Sequence, residues 1–262
     1  MGIHSLKQEF LDHFGIKGFF ATEKKGGQKR VYFVERDSGK QVMKLFEGGK
    51  DERFDREMEI YERYKSMDGI PKIYGTDEYQ GEVVVFEQYI EGHTLSDIVS
   101  SFAGDNLKVK ALLKDLFYIL TPIWTDRYVH RDLKPENIII RVDGKPVILD
   151  FGIARDLSAS SITAAGVQPG TWKWAAPEQY DGRKDMISYR TDFFSLGIIA
   201  YFLFYQQLPF GHTSQDISDK FKSGDESFQI NANCGFANFL IEALKFKPSH
   251  RPKSIEDLIN LI

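Results

Sequence analysis

Apolar residues near the start of the chain recur every fourth position, at Leu6, Phe10 and Phe14, which predicts a helix with a narrow apolar stripe, capped by Ser5. From Lys17 to Phe46 the pattern changes to short runs rich in Phe, Val and Tyr: GFFAT, VYFVE and QVMKLF, separated by the turn-rich stretches EKKGGQKR and RDSGK. That alternation of strand and turn composition predicts an antiparallel meander. Asp51 to Met67 lacks Gly and Pro and reads as a helix. At about 100° per residue Phe54, Met58, Ile60, Tyr61 and Tyr64 gather on one side of it. Glu57 falls inside that apolar arc, whereas Glu52, Glu59 and Glu62 lie outside it. A carboxylate on the buried side needs a cationic partner, because leaving it unpaired is costly.

The segment GEVVVFEQYIEG predicts a strand running into a polar connector, and the chain then turns helical through TLSDIVSSF and LLKDLFYIL toward Trp124. IIIRVDGKPVILDFG reads as two further buried strands. The most apolar segment, Phe193 to Tyr205, is thirteen residues flanked by Asp192 and Gln206, short of the roughly 18 needed to span a bilayer, and so reads as a buried core helix. A β-rich first third joined by a short link to a mostly helical remainder predicts an α+β fold in two lobes, and such a link is a favoured place for a ligand cleft.

Composition narrows the function classes. The chain has 262 residues, 42% hydrophobic and 27% charged, enough to bury a substantial core, with no fixed-period repeat or low-complexity tract. With 34 basic against 38 acidic residues the net charge is -4, so no overall field attracts nucleic acid or an anionic membrane. Cys234 is the single cysteine. It cannot form an intrachain disulfide and, with no basic and apolar leader, it points to a structural thiol in a reducing cytoplasm.

The densest chemistry is HRDLKPEN, residues 130–137, with DFG beginning thirteen residues after Asn137. This pair, at this spacing, resembles the catalytic and metal-binding loops of eukaryotic-type protein kinases, and the bacterial members among them. The resemblance runs from about Gly15 to Ile262. It implies a small antiparallel β lobe with one main helix (about 1–87), a hinge (about 88–92) and a larger, mostly helical lobe (about 93–262). It also implies a serine/threonine protein kinase with ATP and Mg2+ as cofactors and a protein as substrate. Phosphoryl transfer asks for a hydroxyl aimed in line and positive charge around the phosphate oxygens. In that frame Asp132 accepts or orients the hydroxyl proton, Lys134 neutralises the γ-phosphate, and Asn137 and Asp150 supply hard oxygen ligands for magnesium. Lys44 stands at the third-strand lysine that contacts the α- and β-phosphates, and the inward-facing Glu57 is its natural partner.

Similar correspondences extend to GTWKWAAPE. There the resemblance implies that Thr171 hydrogen-bonds Asp132 and Lys134, that Glu178 pairs with Arg251, and that Asp192 ties down the catalytic loop. Because Arg131 precedes Asp132, the segment holding Ser158, Ser160, Ser161 and Thr163 is expected to be ordered by phosphorylation.

Two places depart from the family's pattern. Against G-x-G-x-x-G-x-V, the stretch from Lys24 to Val31 keeps only Gly26 and puts lysines at the outer glycines, where backbone amides would otherwise approach phosphate; Lys24, Lys25, Lys29 and Arg30 could act there as point charges. In FEQYIEG, either Phe86 or Glu87 guards the back of the cleft. The alternatives are a small-molecule kinase on the same fold, which has no need of the Thr171 and Ala-Pro-Glu platform, and a pseudokinase scaffold, favoured only by the irregular glycine stretch.

Overall fold

The computed structural model describes residues 6–26, 29–46, 52–151, 155–156 and 171–262. The chain divides into two compact units, Met1–Glu91 and Gly92–Ile262.

The first unit begins with helix α1 (Gln8–Phe14) and continues through strands β1 (Gly18–Gly26), β2 (Lys29–Arg36) and β3 (Gly39–Phe46), helix α2 (Glu52–Arg63), and strands β4 (Ile73–Tyr79) and β5 (Glu82–Gln88). The strands form one antiparallel sheet in the order β1-β2-β3-β5-β4, so the expected meander is present and β5 completes it beside β3. Ser5 lies outside the described residues, and α1 starts from Lys7 with no side-chain cap. The helix stops where Gly15 takes φ 62°, a left-handed conformation that costs glycine nothing.

Because side chains alternate across a sheet, the unit has two apolar layers. Tyr32, Val34, Met43, Leu45, Val84 and Phe86 face Phe10, Phe14 and Ile16 of the α1 region. On the other side Val83 and Val85 pack with Phe54 of α2, joined by Phe46, Met58 and Ile73. Of the arc predicted for α2, Phe54, Ile60, Tyr61 and Tyr64 are buried, and so is Glu57.

The second unit opens with β6 (Gly92–Thr94) and a 3-10 helix over Leu95–Phe102, where the sequence pattern had suggested only a generic helix. It continues with α3 (Asn106–Thr125), β7 (Tyr128–Val129), β8 (Ile138–Arg141), β9 (Pro146–Ile148), β10 (Arg155–Asp156), α4 (Pro177–Tyr180), α5 (Tyr189–Tyr205), α6 (Ser214–Ser223), α7 (Ala237–Ala243) and α8 (Ile255–Ile259). Asp105 caps α3 by accepting the Lys108 amide at 2.9 Å, satisfying a backbone donor that the first turn cannot. Strands β6, β8 and β9 form a small antiparallel sheet, and β7 pairs with β10. At Gly92 a side chain is impossible, since a Cβ would stand 2.2 Å from the Ile140 carbonyl oxygen.

Helix α5 is buried on almost every side, from Thr191 through Tyr201 and again at Leu203 and Phe204, which is why it reads as apolar all round. Trp124 of α3 meets Phe193 edge-on, with ring centroids 5.1 Å apart. Cys234 is a buried free thiol. Among the described residues no helix is long and apolar enough to cross a membrane.

Candidate active site

Asp192, in the first turn of α5, organises the loop between β7 and β8. One carboxylate oxygen, Oδ2, accepts the Trp124 indole N–H and the His130 amide, both at 2.9 Å, and Oδ1 accepts the Arg131 amide at 2.9 Å. The group is fully buried. Burial pushes its carboxyl above the usual carboxylate range, while nearby His130, the indole and the two amides pull the other way. Its three donors fix the backbone just ahead of Asp132.

The loop and the stretch just past the end of β9 each hold a residue of unusual dihedrals. Arg131 and Asp150 are two of the five described non-glycine residues with positive φ, at 69° and 63°. Residues held there cost about 1–3 kcal/mol each and persist only where their surroundings fix them. For Arg131 the fixing bonds are visible: its amide is held by Asp192, and its carbonyl accepts the Gln179 side-chain N–H of α4 at 2.8 Å. His130 does similar work, its Nδ1 accepting the Asp132 amide at 3.2 Å and its Nε2 donating to the Leu149 carbonyl at 3.1 Å. That ring therefore joins the loop of Asp132 to the strand end that carries Asp150, and it packs against Phe151 with centroids 4.7 Å apart.

Asp132 sits at the centre. Its Oδ2 accepts the Lys134 ammonium at 2.7 Å and the Asn137 amide at 2.9 Å, and Asn137 also donates to the Asp132 carbonyl at 2.9 Å. The NH2 group of Asn137 is thus committed to Asp132. Asn137 and Asp150 carry oxygen atoms of the hard kind that magnesium prefers, and the strand end next to Asp150 is joined to Asn137 by the Leu149 amide, which donates to the Asn137 carbonyl at 2.8 Å. The donor chemistry fits the metal.

Lys44 on β3 and Glu57 on α2 come together in the first unit, but the contact is looser than expected. Lys44 Nζ lies 3.6 Å from Glu57 Oε1 and 2.6 Å from Glu87 Oε2. Glu87, rather than Phe86, is on the Lys44 side of β5, and Phe86 belongs to the layer under α1. Gly26 ends β1 opposite Lys29 of β2. The side chains of Lys24 and Lys25 lie outside the described residues, as do Ser158, Ser160, Ser161, Thr163 and the side chain of Thr171, so the bonds expected of Thr171 have no described counterpart.

Glu178 of α4 and Arg251 form a bidentate pair at 2.7 and 2.8 Å. Arg251 also donates to the carbonyls of Lys245, Phe246 and Arg190. Sequence reasoning missed Gln179, His130 and Trp124 as organisers of the loop. His130 lies inside HRDLKPEN and Gln179 directly follows Ala-Pro-Glu, whereas no motif marks Trp124.

A sheet-and-helix unit with a paired lysine, followed by a helical unit with a constrained Asp-x-Lys loop and oxygen donors, defines a protein kinase. Residues 26–261 match the protein kinase domain family, and the chain belongs to it. It is similar to the serine/threonine-protein kinase PknA of Nostoc sp., with 29% identity over 222 residues, 80% of this chain and 38% of that protein. It resembles serine/threonine-protein kinase D of Synechocystis sp. at 30% over 193 residues, 71% of this chain and 37% of that protein. With PrkC of Bacillus subtilis it shares 27% over 248 residues, 89% of this chain and 38% of that protein. The matched stretch is thus less than two fifths of each of these relatives.

One consequence of the Asp192 hub is open to direct test. An asparagine there keeps one oxygen but loses the other acceptor, orphaning at least one buried N–H, a change worth about 1–3 kcal/mol. Asp192→Asn is expected to lower the unfolding free energy by that amount in chemical denaturation; an unchanged midpoint and slope would show that the loop does not depend on it.

Proposed function

We propose that the chain transfers the γ-phosphate of ATP, with Mg2+, to serine or threonine hydroxyls of protein substrates. The observation that carries this reading is the state of Asp132: a buried carboxylate whose Oδ2 is held by both Lys134 and Asn137. A carboxylate so oriented would accept or align the proton of an incoming hydroxyl, and the Lys134 ammonium would offset charge on the phosphate that the hydroxyl attacks. Asn137 and Asp150 would hold the magnesium, which offsets charge on the phosphate oxygens, and Lys44 would bind the α- and β-phosphates. Gly26 and the lysines around it would close over the nucleotide by charge where glycine amides are missing. Cys234 as a buried thiol supports a reducing, cytoplasmic setting, and phosphorylation at Ser158, Ser160, Ser161 or Thr163 is part of the same proposal, with Arg131 to receive the phosphate.

The bidentate Glu178–Arg251 pair and the Gln179 bond to Arg131 favour a protein substrate over a small molecule, because they brace the Ala-Pro-Glu platform against the catalytic loop. The test is incubation of the purified protein with magnesium and γ-labelled ATP, with and without a basic protein substrate. Label in protein is the expected result. Label confined to small acceptors would mean a small-molecule kinase, and no transfer at all would leave a scaffold.

A further inference from the structure

Two lysines and two glutamates converge beneath the sheet of the first unit. Lys44 Nζ stands 2.6 Å from Glu87 Oε2 and 3.6 Å from Glu57 Oε1, and Lys29 Nζ stands 3.6 Å from the same Glu57 oxygen. The carboxylates are almost wholly covered, with side-chain exposures of 2% for Glu57 and 4% for Glu87. Lys44 keeps 7% and Lys29 15%. Two buried carboxylates cannot share one ammonium without leaving net negative charge in a poorly hydrated place. Lys29 supplies a second positive charge beside Glu57. Its position is the one where the family resemblance calls for the third glycine of the phosphate loop.

The distances rank the contacts. At 2.6 Å the Lys44–Glu87 contact is a charge-assisted hydrogen bond. Glu57 Oε1, by contrast, is buried and has no hydrogen-bond partner, so its contacts with both lysines are ionic only. The strand register explains how Glu87 reaches the lysine. Lys44 lies opposite Val85 and Val42 opposite Glu87, making Lys44 and Glu87 diagonal neighbours on one face, within reach of long side chains.

We propose that Glu87 is a positioning residue that holds the Lys44 ammonium, and that Glu57 is shared with Lys29. This inference rests on reading Lys44 as the lysine that contacts the nucleotide phosphates. Two carboxylates thereby divide the work that the resemblance assigned to Glu57 alone, and Lys29 offsets the charge that the second carboxylate adds.

Two double-mutant cycles on the unfolding equilibrium decide the geometry without any assay of transfer: Lys44→Met with Glu87→Gln, and Lys44→Met with Glu57→Gln. Coupling of about 10-fold or more is expected for Lys44 with Glu87, and about 3-fold or less for Lys44 with Glu57. The reverse ranking would overturn the proposal. In steady-state transfer, Glu87→Gln is expected to raise the KM for ATP about 10-fold with the KM for protein substrate unchanged, and Glu87→Asp to recover part of the loss. A Glu87→Gln protein whose ATP KM is unaltered, with kcat lowered only in step with its folded fraction, would make Glu87 merely structural and defeat the claim. If the wild-type chain transfers no phosphate, the functional reading fails, and the unfolding cycles still test the pairing.

Discussion

Asp132→Asn is expected to lower kcat for transfer to protein by about 10² to 10⁴, the usual range for a general base, with little change in the KM for ATP. Asparagine matches aspartate in shape and leaves the Asp192 anchors of the loop in place, so the fold should be retained. What it removes is the charge. In the wild-type protein Oδ2 gathers the Lys134 ammonium and the Asn137 amide, and a neutral amide cannot draw the ammonium in or take up a proton. The check is kcat and KM measured beside thermal unfolding of the same preparation. Retention of more than about a tenth of wild-type kcat would remove Asp132 from its assigned role.

Arg251→Ala is expected to destabilise the second unit by about 3–5 kcal/mol, the cost typical of breaking a buried ion pair by deleting one partner. Both members are buried, with side-chain exposures of 0% for Arg251 and 1% for Glu178, so water does not screen the charge that remains. The arginine also satisfies the carbonyls of Lys245, Phe246 and Arg190, and its guanidinium lies 4.8 Å from the Phe194 ring centroid. A loss of that size is a large part of the stability of an ordinary domain. Replacing both members, as Glu178→Leu with Arg251→Met, should cost less than Arg251→Ala alone, because no buried charge is left unpaired. Urea denaturation of the three proteins provides the comparison. A single substitution within 1 kcal/mol of wild type would mean that the pair is not what braces α4.

Much of this arrangement is legible from local pattern. The inward direction of Glu57 follows from helical periodicity over Phe54 to Tyr64, since burial on α2 is a property of that helix's own spacing. The core role of Phe193 to Tyr205 follows from an apolar run too short for a bilayer and too continuous for a surface helix. The pairing of Glu178 with Arg251 was expected from the family resemblance alone, because nothing local links residues so far apart in the chain.

The Lys44–Glu87 bond was not legible. It depends on the pairing of β3 with β5; FEQYIEG left open whether Phe86 or Glu87 takes the guarding position, and a shift of one place exchanges them on the lysine's face. The partnership of Lys29 with Glu57 was hidden for a related reason: in sequence Lys29 belongs to a basic turn, and only its place at the start of β2, opposite Phe46, brings its ammonium under the sheet. His130 and Gln179 escaped notice because they work through side-chain hydrogen bonds to backbone atoms, which carry no periodic or compositional signal.

The most direct measurement is transfer of γ-labelled phosphate from ATP to a protein substrate, followed by acid hydrolysis and identification of the labelled amino acid, with wild type run beside Lys44→Met and Asp150→Asn. Label on serine or threonine in the wild type, falling at least about 100-fold in both variants, is the predicted result. Wild-type rates in either variant, or phosphate released to water with none on protein, would contradict it.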